Sequence, residues 1–128
     1  MSRNKAVRPT DGELEILCVL WKRGSGTVRQ VHQVLAADKN TSYNTTLKLL
    51  QIMNDKGLVT RDESRRPQVY RPSLPEGRMQ QRLMSDFLER VFGGSARKLM
   101  AALTATGISQ DELAQIRSLL DGVEEEKE

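Results

Sequence analysis

Apolar side chains recur at helical spacing in three successive segments of the first half of the chain. The predicted helices span 11–21, 28–38 and 42–56. Thr10 and Thr27 each stand three residues before a Glu or Gln, the capping-box pattern that satisfies free backbone N–H groups at a helix start. Ser42 is placed to cap the third helix, and Gly57 to close it in the left-handed conformation. Each predicted helix therefore has its own start signal.

Two short runs of β-like composition follow, at 58–61 and 68–71, on either side of a polar, arginine-rich turn. They predict a hairpin. Three helices followed by a small hairpin are the layout of a winged helix-turn-helix.

The second half of the chain is predicted to be helical and separate from the first. Pro72 and Pro75 enclose a stiff hinge, and the expected helices run over 76–92, over 96–103 and onward from Ser109. The predicted fold class is mainly α, a winged helix-turn-helix head followed by a three-helix C-terminal dimerisation module. The expected divisions are a winged-helix domain at 8–72, a helical dimerisation domain at 73–122 and an acidic tail at 123–128.

The helix predicted over 76–92 has an apolar arc of roughly 200°, wider than one-sided packing requires. A short three-helix segment has too small a core to bury that arc alone, so a second subunit is expected to cover it. The alternative is an intrachain contact with the head, because periodicity does not identify the packing partner. The side chains expected in the dimer interface are Met79, Leu83, Phe87, Leu88, Val91, Phe92, Leu99, Leu103, Leu113, Ile116 and Leu120.

The third predicted helix has two distinct faces. A core-facing arc of about 100° carries Thr46, Leu49, Leu50 and Met53. The opposite face carries Asn44, Leu47, Lys48, Gln51 and Asp55. Amides can pair bidentately with adenine, and an exposed Leu or a Thr methyl can pack on a thymine methyl, so this face suits the DNA major groove. The competing interpretation is an ordinary solvated helix face.

Composition and charge favour the DNA interpretation. The 128 residues are 38% hydrophobic and only 4% aromatic, which allows one core, or a small domain with an appendage. Residues 1–72 contain thirteen Lys or Arg and seven Asp or Glu, a net +6, whereas residues 73–128 carry −3. A basic head on an acidic assembly module is typical of nucleic-acid-binding proteins, with chance clustering as the alternative. Arg65 and Arg66, in the predicted hairpin turn, would lie over phosphates and supply affinity rather than sequence choice.

The residue inventory argues against catalysis and metal binding. A single cysteine, Cys18, excludes an internal disulfide, and with a single histidine, His32, neither a Cys/His metal cluster nor a Cys–His catalytic pair is expected. Both residues are expected to be structural, with Cys18 on the apolar face of its helix and His32 at a polar position of the second helix. There is also no glycine-rich phosphate loop, no paired-carboxylate spacing and no Ser–His arrangement, so no enzymatic activity, cofactor or metal is expected. No apolar run is long enough to span a bilayer, which predicts a soluble cytoplasmic protein without membrane insertion.

Five short segments together form a more specific pattern than any one alone. They are Asp11–Leu17 with Leu20–Trp21, Thr27–Val31, Tyr43–Thr46, Lys56–Val59 and Tyr70. In this order and spacing, over about residues 8–122, they resemble the penicillinase-repressor (BlaI/MecI) family of winged-helix regulators.

The resemblance implies a homodimeric transcriptional repressor bound to a double-stranded DNA operator with inverted-repeat symmetry. Its base-reading segment would be 43–51, its wing 65–70 and its dimer helices 79–120. Family members often repress a β-lactamase or penicillin-binding-protein gene. Their repression is commonly relieved when a membrane sensor metalloprotease triggers their cleavage, so such a protease is expected as an indirect partner. The side chains expected to contact DNA are Tyr43, Asn44, Thr45, Leu47, Lys48, Gln51, Arg65 and Arg66.

Two departures from the family pattern concern regulation. Copper-responsive relatives carry a C-terminal cysteine cluster, and this chain has no cysteine after Cys18, which excludes that device. In the penicillinase and methicillin-resistance repressors the cleaved bond joins Asn to Phe, and Ala101-Ala102 occupies the aligned positions.

Two other function classes compete with a repressor. One is a winged-helix module for protein–protein contact with weak or absent specific DNA binding, which would not need the positive charge of Lys48, Arg65 and Arg66. The other is a small hydrolase or metal sensor, which the residue inventory disfavours.

Overall fold

The computed structural model describes the backbone of residues 8–127 and the side chains of residues 8–118. Over these residues the chain forms six helices and one two-stranded antiparallel sheet, which confirms a mainly α fold with a winged-helix head followed by three helices. The elements in chain order are α1 (Asp11–Arg23), α2 (Val28–Asp38), α3 (Tyr43–Lys56), β1 (Val59–Asp62), β2 (Val69–Pro72), α4 (Glu76–Phe92), α5 (Ala96–Ala105) and α6 (Gln110–Lys127).

Local hydrogen bonds explain where the first three helices begin. The Thr10 hydroxyl accepts from the Glu13 N–H at 3.2 Å, and the Glu13 carboxylate accepts from the Thr10 N–H at 2.9 Å. Thr27 and Gln30 make the same reciprocal pair at the start of α2. Both predicted capping boxes are confirmed, and each satisfies backbone donors that have no partner inside the helix.

The helix ends and strand limits differ slightly from the predictions. α1 continues for one half-turn past its predicted end, to Arg23. Gly57 ends α3 at φ +85°, the left-handed conformation predicted for it. Each strand begins one residue after its predicted start.

The wing is a hairpin tied to the turn between α1 and α2. β1 pairs with β2 in the register Val59↔Pro72 to Asp62↔Val69. On the other edge of β2, the Gly26 N–H donates to the Tyr70 carbonyl at 3.0 Å and the Tyr70 N–H donates to the Gly26 carbonyl at 2.8 Å. β2 is therefore bonded to β1 on one edge and to the turn between α1 and α2 on the other.

The chain divides into two compact units, Met1–Gln80 and Gln81–Glu128. The division falls inside α4, later than the expected domain limit at Pro72. The segment after the hairpin belongs to the first unit. There the Ser73 N–H donates to the Leu58 carbonyl at 2.9 Å, and the Trp21 indole N–H donates to the Leu74 carbonyl at 3.0 Å.

The core of the first unit is aliphatic. Helices α1 to α3, both strands and the first turn of α4 contribute buried side chains. They are Ile16, Leu17, Val19, Leu20, Val28, Val31, Leu50, Met53, Leu58, Val59, Val69, Tyr70 and Met79. The expectation for Cys18 is wrong, because the buried arc of α1 is centred near Ile16 and Leu20 and Cys18 is exposed on the other side of the helix.

In the second unit α5 packs against α6. The backbone of α6 continues through residues 123–127, so that part of the expected acidic tail is helical. None of the helices described is long and apolar enough to cross a membrane.

Candidate nucleic-acid interface

The outer face of α3 is open to solvent, as the helical wheel predicts. Tyr43 is 43% exposed, and Asn44, Thr45, Lys48 and Gln51 are also exposed. The predicted contact residue Leu47 is half-buried, and so is Leu49, whereas the core-facing residues Thr46, Leu50 and Met53 are buried. The outer face of α3 thus presents amides, hydroxyls, one aromatic ring, the Lys48 ammonium group and, nearer its end, the Asp55 carboxylate.

The first turn of α3 is held by several side-chain contacts. The Ser42 hydroxyl accepts from the Thr45 N–H at 3.1 Å and is also bonded to the Thr45 hydroxyl at 2.9 Å. From α2, Nε2 of His32 bonds the Thr41 carbonyl at 2.9 Å. The His32 and Tyr43 rings meet edge to face, with centroids 5.8 Å apart. The start of the helix is therefore fixed before any ligand arrives.

Sequence reasoning missed the contacts of His32. It placed the residue at a polar position of α2, yet the structure shows it half-buried against the turn that leads into α3. A helical wheel could have indicated these contacts, because it places His32 beside the apolar stripe of Val28, Val31 and Leu35.

The last turn of α3 is tied to α1 by an ion pair that sequence reasoning also missed. Nζ of Lys56 donates to both carboxylate oxygens of Glu13, at 2.8 and 3.0 Å. Glu13 is only 2% exposed, and the same carboxylate accepts the Thr10 N–H. One acidic group thus caps α1 and binds the last turn of α3. The sequence does carry a signal for this ion pair, because Glu13 is a carboxylate at a core-facing position of α1.

The turn of the wing has its own hydrogen bonds. Asp62 accepts from the Ser64 hydroxyl at 2.6 Å and from the Ser64 N–H at 3.0 Å, and these bonds lower the pKa of the Asp62 carboxyl. Side-chain hydrogen bonding raises the pKa of the Arg61 guanidinium, with Tyr70 the larger cause and Glu63 the smaller. The guanidinium donates to the Glu63 carboxylate at 3.0 Å. Arg61 is thus engaged within the hairpin.

Arg65 and Arg66 are both exposed in the turn between the strands. Within the part of the chain that the structure describes, neither guanidinium makes a hydrogen bond. The same described residues contain no group of three or more His, Cys, Asp or Glu side chains that could hold a metal. The first unit therefore presents an exposed polar helix face on α3 and an exposed pair of guanidinium groups in the wing turn.

The residues expected in a dimer interface have different environments in the single chain. Met84, next to them on α4, is 49% exposed, and Phe87 and Val91 are 44% and 55% exposed. Those that are half-buried are Leu83, Leu88, Phe92, Leu99, Leu103 and Ile116. Leu113 is buried, and the side chain of Leu120 lies outside the described residues.

Met79 departs from the expectation for the interface. It is 2% exposed and belongs to the first unit, so its side chain is already covered within the single chain. The turn formed by Pro75 and the start of α4 brings it there, with the Met79 N–H bonded to the Pro75 carbonyl.

An exposed recognition-type helix, a neighbouring wing and a basic surface define a winged-helix DNA-binding protein. Comparisons with known proteins agree. The family model described as penicillinase repressor matches residues 9–122. "Transcriptional regulator BlaI" of Mycobacterium tuberculosis is 29% identical over 121 residues, covering 94% of this chain and 88% of the relative. "Penicillinase repressor" of Bacillus licheniformis is 25% identical over 113 residues, covering 88% of each chain.

The chain belongs to the penicillinase repressor family. It is a DNA-binding transcriptional repressor, and the members of this family are regulators rather than enzymes.

Proposed function

We propose that this protein acts as a homodimer, with each α3 reading one half of an inverted-repeat operator and α4 to α6 joining the two copies. The observation that carries the proposal is the exposed outer face of α3 beside the arginines of the wing. The regulated gene is proposed to be of the β-lactam-resistance type or a related one, by analogy with the relative named penicillinase repressor.

The chemistry of the α3 face supports sequence reading. Asn44 and Gln51 are exposed amides, which match the donor and acceptor pattern of adenine in the major groove. Tyr43, Thr45 and Leu47 add methyl and ring surface for contact with thymine methyl groups. Arg65, Arg66 and Lys48 would bind phosphates and set the register of the head on the duplex.

The exposed apolar surface of α4 supports a dimer. Phe87 and Val91 are large side chains that a stable monomer would rarely leave about half exposed on one face. A two-fold dimer presents two recognition helices to half-sites one helical turn apart, about 34–36 Å, which is the geometry an inverted repeat requires.

Release of the repressor is proposed to use a route other than cleavage between Ala101 and Ala102. Both residues lie inside α5, where the backbone is helical rather than in the extended form that proteases bind. Neither residue offers the amide or the aromatic ring of the Asn-Phe pair. A membrane sensor metalloprotease is accordingly proposed only as an indirect partner.

The proposal predicts that base-reading and phosphate-binding residues separate in a binding experiment. Asn44→Ala and Gln51→Ala should each weaken binding to the selected site by about 1–3 kcal/mol and leave scrambled DNA almost unaffected. Arg65→Ala and Arg66→Ala should weaken both duplexes alike and flatten the salt slope by about 0.9 per lost phosphate contact. Fluorescence anisotropy measures both, on a duplex that the wild type selects from a random pool.

Gln33→Ala is the matched control, because it removes an exposed amide from α2 that is not among the proposed contacts. Equal losses on both duplexes for the Asn44 and Gln51 variants would show that α3 does not read bases. A wild type that enriches no sequence from the pool would instead support a protein–protein module.

A further inference from the structure

We propose that His32 is a positioning residue for base recognition, which holds Tyr43 and the first turn of α3 in the orientation that meets DNA. The inference rests on the proposed function, because it assigns His32 a part in the reading of DNA by α3. His32 itself is on α2 and half-buried, so its effect would pass through Tyr43 and the turn before it.

The hydrogen bond to Thr41 requires a proton on one particular ring nitrogen of His32. A carbonyl oxygen can only accept, so Nε2 of His32, 2.9 Å from the Thr41 carbonyl, carries the proton. The bond joins α2 to the peptide immediately before the capping residue Ser42. This hydrogen bond therefore restricts movement of the start of α3 away from α2.

The ring contact acts on Tyr43 directly. The two rings lie at 75° to each other with centroids 5.8 Å apart, the edge-to-face geometry that aromatic rings prefer. Tyr43 is the first residue of α3 and remains 43% exposed, so one part of its ring is held by His32 while the rest is open. The contact restricts the rotamers of a side chain proposed to reach the bases.

The capping bonds extend the same ordering to the next residue. Ser42 binds both the N–H and the hydroxyl of Thr45, so the side chain of Thr45 is also held. Ordering these groups in the free protein lowers the conformational entropy lost when DNA binds. Base contacts depend on orientation, whereas phosphate contacts made by long, mobile side chains tolerate displacement. Loss of His32 should therefore reduce the preference for one sequence more than the general affinity for DNA.

Three variants separate the two contacts of His32. His32→Ala removes both. His32→Gln places an amide N–H where Nε2 stands and can keep the bond to Thr41, whereas His32→Phe keeps the ring beside Tyr43 but cannot donate. Gln33→Ala, at the neighbouring exposed position, is the matched control.

Anisotropy titrations with the selected duplex and a scrambled duplex give the affinity ratio, and thermal melting reports whether each variant is folded. His32→Ala should bind the selected duplex about tenfold more weakly, with less than about a twofold change on the scrambled one. His32→Gln and His32→Phe should each recover part of the loss. In a Tyr43→Ala background, His32→Ala should have less effect, because the two side chains act through one contact.

In the free protein, the ring resonances of Tyr43 should shift in His32→Ala and return toward the wild-type position in His32→Phe. This NMR measurement tests the positioning without DNA. Should His32→Ala fail to fold, His32→Gln and His32→Phe carry the same comparison.

The outcomes distinguish this inference from the proposed function. A wild type that does not discriminate between the duplexes overturns the proposed function and, with it, the role of His32 in base reading. A wild type that discriminates, with folded His32 variants that keep the full affinity ratio or lose affinity for both duplexes equally, overturns the inference alone. Unchanged Tyr43 resonances in His32→Ala overturn it as well.

Discussion

At the scale of single residues, Glu13 combines local and long-range roles in one carboxylate. It completes the capping box with Thr10 and accepts two hydrogen bonds from Lys56, the last residue of α3. A buried carboxylate is costly unless it is fully hydrogen-bonded, and here both oxygens have partners. The orientation of α3 relative to α1 is thus coupled to the start of α1.

Replacing Glu13 should therefore cost more than replacing the surface acid two residues later. Glu13→Gln keeps an oxygen for the Thr10 N–H but removes the charge opposite Lys56, which is 34% exposed, so the expected loss in the free energy of unfolding is about 1–3 kcal/mol. Glu15→Gln is the matched control, because it breaks only an exposed pair with Lys39 and should cost under about 1 kcal/mol.

Urea unfolding followed by Trp21 fluorescence measures both variants, since Trp21 is half-buried in the same unit. Equal losses for Glu13→Gln and Glu15→Gln would mean that the buried pair does not stabilise the head.

At the scale of elements, α4 has three exposed large apolar residues, more than any other helix among the side chains that the structure describes. Phe87 packs edge to face on Phe92 with centroids 5.8 Å apart, yet remains 44% exposed, and Val91 is 55% exposed. Packing within the single chain leaves this surface in contact with water. The proposed second subunit would remove it from water, at roughly 25 cal/mol for each square ångström buried.

A charge placed on that surface should prevent association. Phe87→Asp and Leu83→Asp are expected to yield monomers at tens of micromolar, because an unpaired carboxylate in an apolar interface costs several kcal/mol. Ser85→Asp puts the same charge at an exposed position of α4 that is not among the expected interface residues, so it should leave the dimer intact. Sedimentation velocity measures the mass, and near-ultraviolet circular dichroism of Trp21 reports whether the head stays folded.

A wild type that sediments as a monomer at these concentrations would contradict the dimer. So would Phe87→Asp and Ser85→Asp variants that associate equally well.

At the scale of the whole molecule, the two compact units differ in charge as well as in position along the chain. Residues 1–72 carry a net +6 and residues 73–128 carry −3. The limit between the units lies at Gln80 rather than Pro72, because Leu74 and Met79 complete the first unit. Residues 73–80 contain one Glu and one Arg, so a division at either position gives the same two net charges. Composition therefore locates the division only approximately.

Fragments that end at different points should reveal where the head is complete. A fragment of residues 1–80 should unfold cooperatively. A fragment of residues 1–72 lacks the acceptor for the Trp21 indole N–H and the buried Met79, so it should be less stable by about 2–4 kcal/mol. Thermal unfolding followed by Trp21 fluorescence compares them, with the full chain as the reference, and equal midpoints would place the limit of the head at Pro72.

The sequence alone predicted the elements whose signals are local. The capping boxes at Thr10 and Thr27 and the glycine closing α3 act over three or four residues, so their sequence patterns specify the hydrogen bonds found in the structure. The two faces of α3 follow from the same short-range periodicity. The outer face was therefore predictable as a candidate DNA-reading surface.

Tertiary structure decided the contacts between residues far apart in the chain. Glu13 meets Lys56 across 43 residues, and Trp21 meets Leu74 across 53, and no pattern within one helix encodes either pair. The burial of Met79 and the exposure of Cys18 likewise depend on which side of each helix the rest of the chain covers. Helix periodicity determines which residues share a face, but only the packing of that helix against the rest of the chain determines which face becomes the core.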